Sequence, residues 1–184
     1  MTRIVAGRAG GRRITVPPRG TRPTSERVRE AIFSAVTARM ELAGSGALDL
    51  YAGSGALGIE ALSRGAAHAL FVESDRRAAT VLRRNLDELG LDGGRVRAAS
   101  VSSVLAERAD AGYQLVLADP PYAMTGAELH ETLLQLVRNG WLAAGALLVV
   151  ERATRAGEPT WPAPVEPVTT RRYGDTMVCY GRRP

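Results

Sequence analysis

From Ala47 to Glu151 short apolar runs alternate with amphipathic stretches, and this alternation restricts what the chain can fold into more than any other feature. The runs lie at 47–51 (ALDLY), 68–73 (HALFVE), 94–99 (GRVRAA), 113–119 (YQLVLAD) and 145–151 (GALLVVE), with helical patterns between them at about 56–64, 75–89, 101–109 and 126–139. Strands separated by helices cannot pair as tight hairpins. Each crosses over its helix to lie parallel to another strand, which leaves helices on both faces of one sheet. The period is fullest in 75–89, where Ala78, Val81, Leu82, Leu86 and Leu89 share one side, Asp75 is placed as N-cap and Gly90 as C-cap. After Glu151 a proline-rich loop leads to Thr169–Tyr173 and Thr176–Tyr180 around Gly174-Asp175, which predicts a β-hairpin. An α/β sheet of five parallel strands closed by a terminal hairpin differs from the six-stranded dinucleotide-binding arrangement.

Three motifs sit where such a sheet places its chemistry. Asp49-Leu-Tyr-Ala-Gly53-Ser-Gly55-Ala-Leu-Gly58 sets G-x-G-x-x-G directly after the first apolar run and at the start of a helix. There the glycines allow a tight turn, and the free N–H groups of the helix start face a ligand. Asp49, Tyr51, Ala52, Gly53, Ser54, Gly55 and Gly58 are therefore candidate cofactor-binding residues. The motif alone does not choose between nicotinamide, flavin and S-adenosylmethionine. Glu73 ends the second run, twenty residues after Gly53, with Ser74 beside it. An acid there accepts the two ribose hydroxyls of a nucleoside and disfavours a 2′-phosphate. Asp119-Pro120-Pro121-Tyr122 follows Leu115–Ala118 at the carboxyl end of a strand. An exocyclic amine on a base is a poor nucleophile, because its lone pair is conjugated into the ring. A carboxylate and a backbone carbonyl that accept its hydrogens hold the nitrogen toward an electrophilic methyl group and stabilise the charge that develops. Asp119, Pro120 and Tyr122 are the candidate catalytic residues, with the proline fixing the carbonyl and the tyrosine offering a flat face to the base. His68 and His130 have no partner in sequence, Cys179 reads as a small buried apolar residue and Trp141 as a core filler.

Residues before the first helix have another character. Arg3–Ala6 and Arg13–Val16 read as short extended pieces broken by Gly10-Gly11 and Pro17-Pro18, an arm rather than part of the core. Thr24 is then placed as the N-cap of a helix over about 25–40, whose apolar stripe is Val28, Ala31, Ile32, Ala35 and Val36, with Arg27 and Arg29 on its other faces. The expected division is a basic arm over 1–24 and one domain over 25–184. All 24 basic residues are arginine, and the net charge of +5 is wholly N-terminal: residues 1–41 carry +6, residues 42–184 carry −1. Arginine grips phosphates in two-pronged fashion and stacks on bases, so an arginine-only arm suits a nucleic acid. Arg8, Arg12, Arg13, Arg22 and Arg27 are the candidate contacts. One cysteine and two distant histidines leave no metal-ligand spacing and no disulfide, which fits a reducing cytoplasm. Neither a secretory signal nor an apolar stretch near the roughly 20 residues of a membrane span is present, so no membrane partner is expected and a cytoplasmic location is.

On these residues the chain resembles the bacterial 16S ribosomal RNA guanine-N2 methyltransferases of the RsmD family. The likeness runs nearly end to end: Arg3-Ile-Val-Ala-Gly7, Gly11-Arg-Arg13, Arg22-Pro-Thr24, Arg27-Val-Arg-Glu30, Leu48–Gly58, Glu60-Ala-Leu-Ser-Arg-Gly65, Phe71-Val-Glu73 and Asp119–Tyr122. It implies a Rossmann-like class I S-adenosylmethionine-dependent methyltransferase with a seven-stranded, mostly parallel sheet. It also implies methylation of the exocyclic amine of guanine 966 in the RNA of an assembled or partly assembled 30S subunit. A monomer without a metal is expected. Where that family usually carries an acid after its third strand, near the cofactor's adenine, this chain reads Ala98-Ala-Ser-Val-Ser102, leaving Ser100 as the candidate. Asp-Pro-Pro-Tyr is shared with DNA adenine-N6 methyltransferases, which are the alternative enzyme reading. A non-catalytic RNA-binding assembly factor is the alternative outside enzymes.

Overall fold

The structure is a computed structural model that describes residues 1–18 and 23–184. Its main sheet has seven strands: β3 (Gly46–Leu50), β4 (His68–Glu73), β5 (Gly94–Ala98), β6 (Tyr113–Ala118), β7 (Leu142–Ala153), β8 (Glu166–Tyr173) and β9 (Thr176–Arg182). They lie in the order β5-β4-β3-β6-β7-β9-β8, and β9 and β8 alone run antiparallel to their neighbours. The expected parallel sheet closed by a hairpin is what is found.

Four helices cover the sheet within this unit: α2 (Ala56–Ser63), α3 (Arg76–Leu89), α4 (Val101–Ala106) and α5 (Gly126–Arg138). Their ends follow local chemistry. Asp75 accepts from the N–H groups of Arg77 and Ala78, Gly90 closes α3 at φ 63°, and Thr125 and Glu128 form a reciprocal capping box on α5. The chain leaves β3 toward β4 on one side and returns to β6 on the other. This topological switch places a crevice at the carboxyl ends of β3 and β6.

Strand alternation sorts the core into two layers, one on each face of the sheet. Ala47, Phe71, Leu115, Leu117 and Val149 pack with α2, α3 and the N-terminal segment, while Leu48, Leu50, Val116, Leu148 and Val150 pack with α4 and α5. Here the N-terminal expectation needs correction. Residues 1–18 do not stand apart from the core: β1 (Thr2–Arg3) and β2 (Arg13–Ile14) pair antiparallel, and Ile4, Ala9 and Ile14 are at most 2% exposed within the first layer. Burying such isoleucines is worth roughly 1.5–3 kcal/mol each.

The segment is also tied down by polar groups. The buried carboxylate of Glu60 on α2 accepts from the N–H groups of Val5 (2.8 Å) and Ala6 (3.1 Å). Ser63 accepts from Ala9 N–H and donates to the Ala6 carbonyl. Asn85 on α3 accepts from Thr15 N–H and donates to the carbonyls of Thr15 and Ser54.

The first helix, α1 (Glu26–Thr37), differs from expectation in two respects. Its N-cap is Ser25, whose hydroxyl accepts from Val28 N–H, not Thr24. Arg29, expected on an outer face, is fully buried and donates to the carbonyls of Thr24 and Arg3 and to the Thr2 hydroxyl, with Glu60 3.9 Å from its Nε. A buried guanidinium persists because carbonyls and a carboxylate surround it. Arg29 thereby staples the N-terminal segment to α1 and α2.

Candidate active site

The crevice at the switch point is a cavity of about 630 Å³, within the size range of small-molecule sites. Of the predicted cofactor residues, Asp49, Tyr51, Ala52, Gly53, Ser54, Glu73, Ser74, Ser100 and Asp119 line it. Gly55 and Gly58 do not, and the structure shows what they do instead. Gly55 starts α2 at φ 85° against Leu82, a conformation and a closeness that exclude a side chain. Gly58 lets the helix approach Phe71, and its N–H donates to Asp49 Oδ2 at 2.8 Å.

The loop between β3 and α2 is held open from both ends. Tyr51 adopts φ 59°, a left-handed conformation that costs a non-glycine residue roughly 1–2 kcal/mol and recurs at functional sites. The Gly53 N–H donates to Glu73 Oε1 at 3.0 Å and the Asp75 N–H to its Oε2 at 3.3 Å, so the acid of β4 braces the glycine turn from the cavity wall. Ser100 caps α4 by accepting from Ser103 N–H at 3.2 Å, so its oxygen serves a helix as well as the cavity wall.

Electrostatically the cavity is acidic. Asp49, Glu73, Asp75, Asp119, Glu128 and Glu131 line it, and no arginine or lysine does among the described residues. Burial pushes the Asp49 carboxyl up to about 8, opposed by the Gly58 hydrogen bond and reinforced by Glu73. Asp119 is also raised, by burial first and then by the charges of Glu151 and Asp49, against a lowering hydrogen bond from Thr24. An acidic pocket of this kind disfavours a pyrophosphate-bearing ligand and favours one with positive charge.

A second, smaller hollow of about 30 Å³ lies on the other side of Asp119. Asp119, Pro121 and Met124 line both spaces, while Pro120, Tyr122 and Glu151 line only the smaller. Tyr122 is 60% exposed at its mouth, a large aromatic face turned to solvent. Two residues here were not singled out by sequence reasoning. The Thr24 hydroxyl donates to Glu151 Oε2 at 2.5 Å and lies 3.4 Å from Asp119 Oδ2. Position is the one signal that could have found Glu151, which ends the apolar run 145–151 at the ligand-binding edge of the sheet. Thr24 was read as a helix N-cap and as part of Arg22-Pro-Thr24, and nothing in the sequence joined it to Asp119, 95 residues away.

Of the candidate RNA contacts, Arg8, Arg12, Arg13 and Arg27 are exposed. Arg12 also donates to the Glu88 carbonyl at the end of α3. Arg22 lies outside the described residues. Val16, Pro17, Pro23 and Thr24 line the large cavity, so the basic segment runs directly into its wall.

Residues 2–182 match the family described as Conserved hypothetical protein 95. The chain is 41% identical over 162 residues to ribosomal RNA small subunit methyltransferase D of Escherichia coli K12, covering 88% of this chain and 79% of that one. Among solved structures it is similar to the Escherichia coli protein yhhF (TM-score 0.88, 36% identity, 99% of this chain and 97% of that one). It is also similar to the Thermus thermophilus protein TTHA0928 (TM-score 0.80, 33% identity, 98% of each).

Proposed function

Because the chain belongs to the family of ribosomal RNA small subunit methyltransferase D, we propose that it transfers a methyl group from S-adenosylmethionine to the exocyclic N2 amine of guanine 966 in 16S RNA of the small ribosomal subunit. One observation supports this most: Asp119, with Pro121 and Met124, borders both the large acidic cavity and the hollow lined by Pro120 and Tyr122. A group standing there touches both a cofactor on one side and a base on the other.

The large cavity fits a cationic nucleoside cofactor. Glu73 would take its ribose hydroxyls, the turn at Gly53-Ser54 its carboxylate end, and Asp49 with Asp119 the region of positive charge. When bound, S-adenosylmethionine supplies an electrophilic methyl group on a sulfonium.

The chain's own residues prepare the nucleophile. The Asp119 carboxylate and the Pro120 carbonyl accept the two amine hydrogens and aim the nitrogen lone pair across the wall. Tyr122 presents its ring to a base turned out of the RNA. As the nitrogen becomes bonded to carbon its hydrogens turn acidic, and Asp119 is placed to take one. A carboxyl raised by burial is a better acceptor than an ordinary one. The exposed Arg8, Arg12, Arg13 and Arg27 would hold phosphates, with residues 1–24 acting as the RNA-binding extension.

The test is transfer of tritiated methyl groups from S-adenosylmethionine into small subunits that lack the modification. Wild type should label them. Asp119→Ala should lose at least a hundredfold in rate with S-adenosylhomocysteine affinity changed little; unchanged turnover would remove Asp119 from its role.

A further inference from the structure

The hollow beside Asp119 holds a second carboxylate that methyl transfer itself does not require. Glu151 lies near the carboxyl end of β7, lining the same space as Pro120 and Tyr122. Its Oε2 is fixed by the Thr24 hydroxyl at 2.5 Å, while its Oε1 has no hydrogen-bond partner among the described residues. No ion pair involves it among those residues either, and the neighbouring Arg152 turns to the carbonyls of Ala156 and Gly157. A hydroxyl has one hydrogen to give. With that hydrogen on Glu151, Thr24 orients this carboxylate and offers Asp119 only a long 3.4 Å contact.

We propose that Glu151 determines which base is methylated, by accepting the N1–H of guanine while Asp119 and the Pro120 carbonyl hold the adjacent N2 amine. This rests on the guanine-N2 reading above and adds a reader to it. Guanine places the N1–H donor directly beside its N2 amine, so a second acceptor next to the amine-holding pair matches that edge. Adenine has an acceptor at N1, which would face the lone pairs of a fixed carboxylate. A site built to pair a buried polar group rejects the analogue that leaves it unpaired. Thr24 is the positioning residue in this arrangement, since it acts on the base only through Glu151.

The experiment uses small subunits reconstituted with either guanine or 2-aminopurine at the methylated nucleotide. The analogue keeps the 2-amino group but carries an acceptor at N1. Methylation kcat/KM is measured on both, together with the affinity for both in the presence of S-adenosylhomocysteine. Wild type should prefer guanine by roughly tenfold or more in each measurement. Glu151→Gln, whose amide can either accept from guanine or donate to 2-aminopurine, should narrow that preference about tenfold. Equal treatment of the two bases by wild type would overturn the proposal without any variant. So would a Glu151→Gln enzyme that loses both activities in the same proportion, the mark of a merely structural residue. Failure of wild type to methylate guanine-containing subunits would instead remove the parent reading, and this one with it.

Discussion

Asp49 on β3, Asp119 directly after β6 and Glu151 on β7 each have a carboxyl raised by burial. The sign of the consequence follows directly. A carboxyl held above its unfolded value stabilises the fold while protonated, fully below the unfolded value, and that contribution is lost as pH rises through the folded one. For Asp49 the window runs from the ordinary carboxyl value of 3.8 to about 8, and its full width corresponds to roughly 5 kcal/mol. The ligand-free protein should therefore melt at lower temperature at pH 8 than at pH 5. Asp49→Asn, which keeps an acceptor for the Gly58 N–H, should flatten that dependence. A melting profile of unchanged slope in the variant would show that Asp49 is not the titrating group. Asp49 was legible as a site residue because it precedes a glycine motif, yet its partner at Gly58 was read as a ligand contact. The glycine lets α2 approach β4 and satisfies the acid, a packing role that spacing alone does not separate from binding.

At the scale of elements, local periods carried well: β3 to β7, α2 to α5 and the terminal hairpin all lie where apolar spacing and turn chemistry put them, within a few residues. The N-terminal segment did not, because β1 and β2 are two residues each and present no period. Its docking depends on Glu60, Ser63 and Asn85, which lie 54 to 70 residues away in sequence. Arg29 misled for the same reason. An arginine on a helix reads as solvated until a distant carboxylate and two carbonyls are known to surround it. Asn85 joins the N-terminal segment to the glycine loop through Thr15 and Ser54. Asn85→Ala leaves those buried backbone groups unpaired and should lower stability by about 3 kcal/mol. It should also weaken S-adenosylhomocysteine binding, although Asn85 does not line the cavity. Calorimetry that finds destabilisation with unaltered affinity would separate the segment from the loop.

Across the whole molecule, charge is divided by task. The cavity is lined by acids, while the excess of arginine sits in residues 1–41 at a net +6. A basic entrance and an acidic interior suit an enzyme that grips a polyanion outside and a cationic cofactor within. Arg8→Ala and Arg13→Ala should weaken subunit binding and reduce the slope of log affinity against log salt by about 0.7–0.9 per lost phosphate contact. An unaltered slope would place the RNA elsewhere on the surface.

The most direct measurement is mass mapping of 16S RNA after incubation of unmodified small subunits with the protein and S-adenosylmethionine. One added methyl group, recovered as 2-methylguanosine at a single nucleotide and abolished by Asp119→Ala, is the expected result. A methyl group recovered on adenine N6, or none at all from correctly folded protein, would contradict the assignment of this site to a guanine amine.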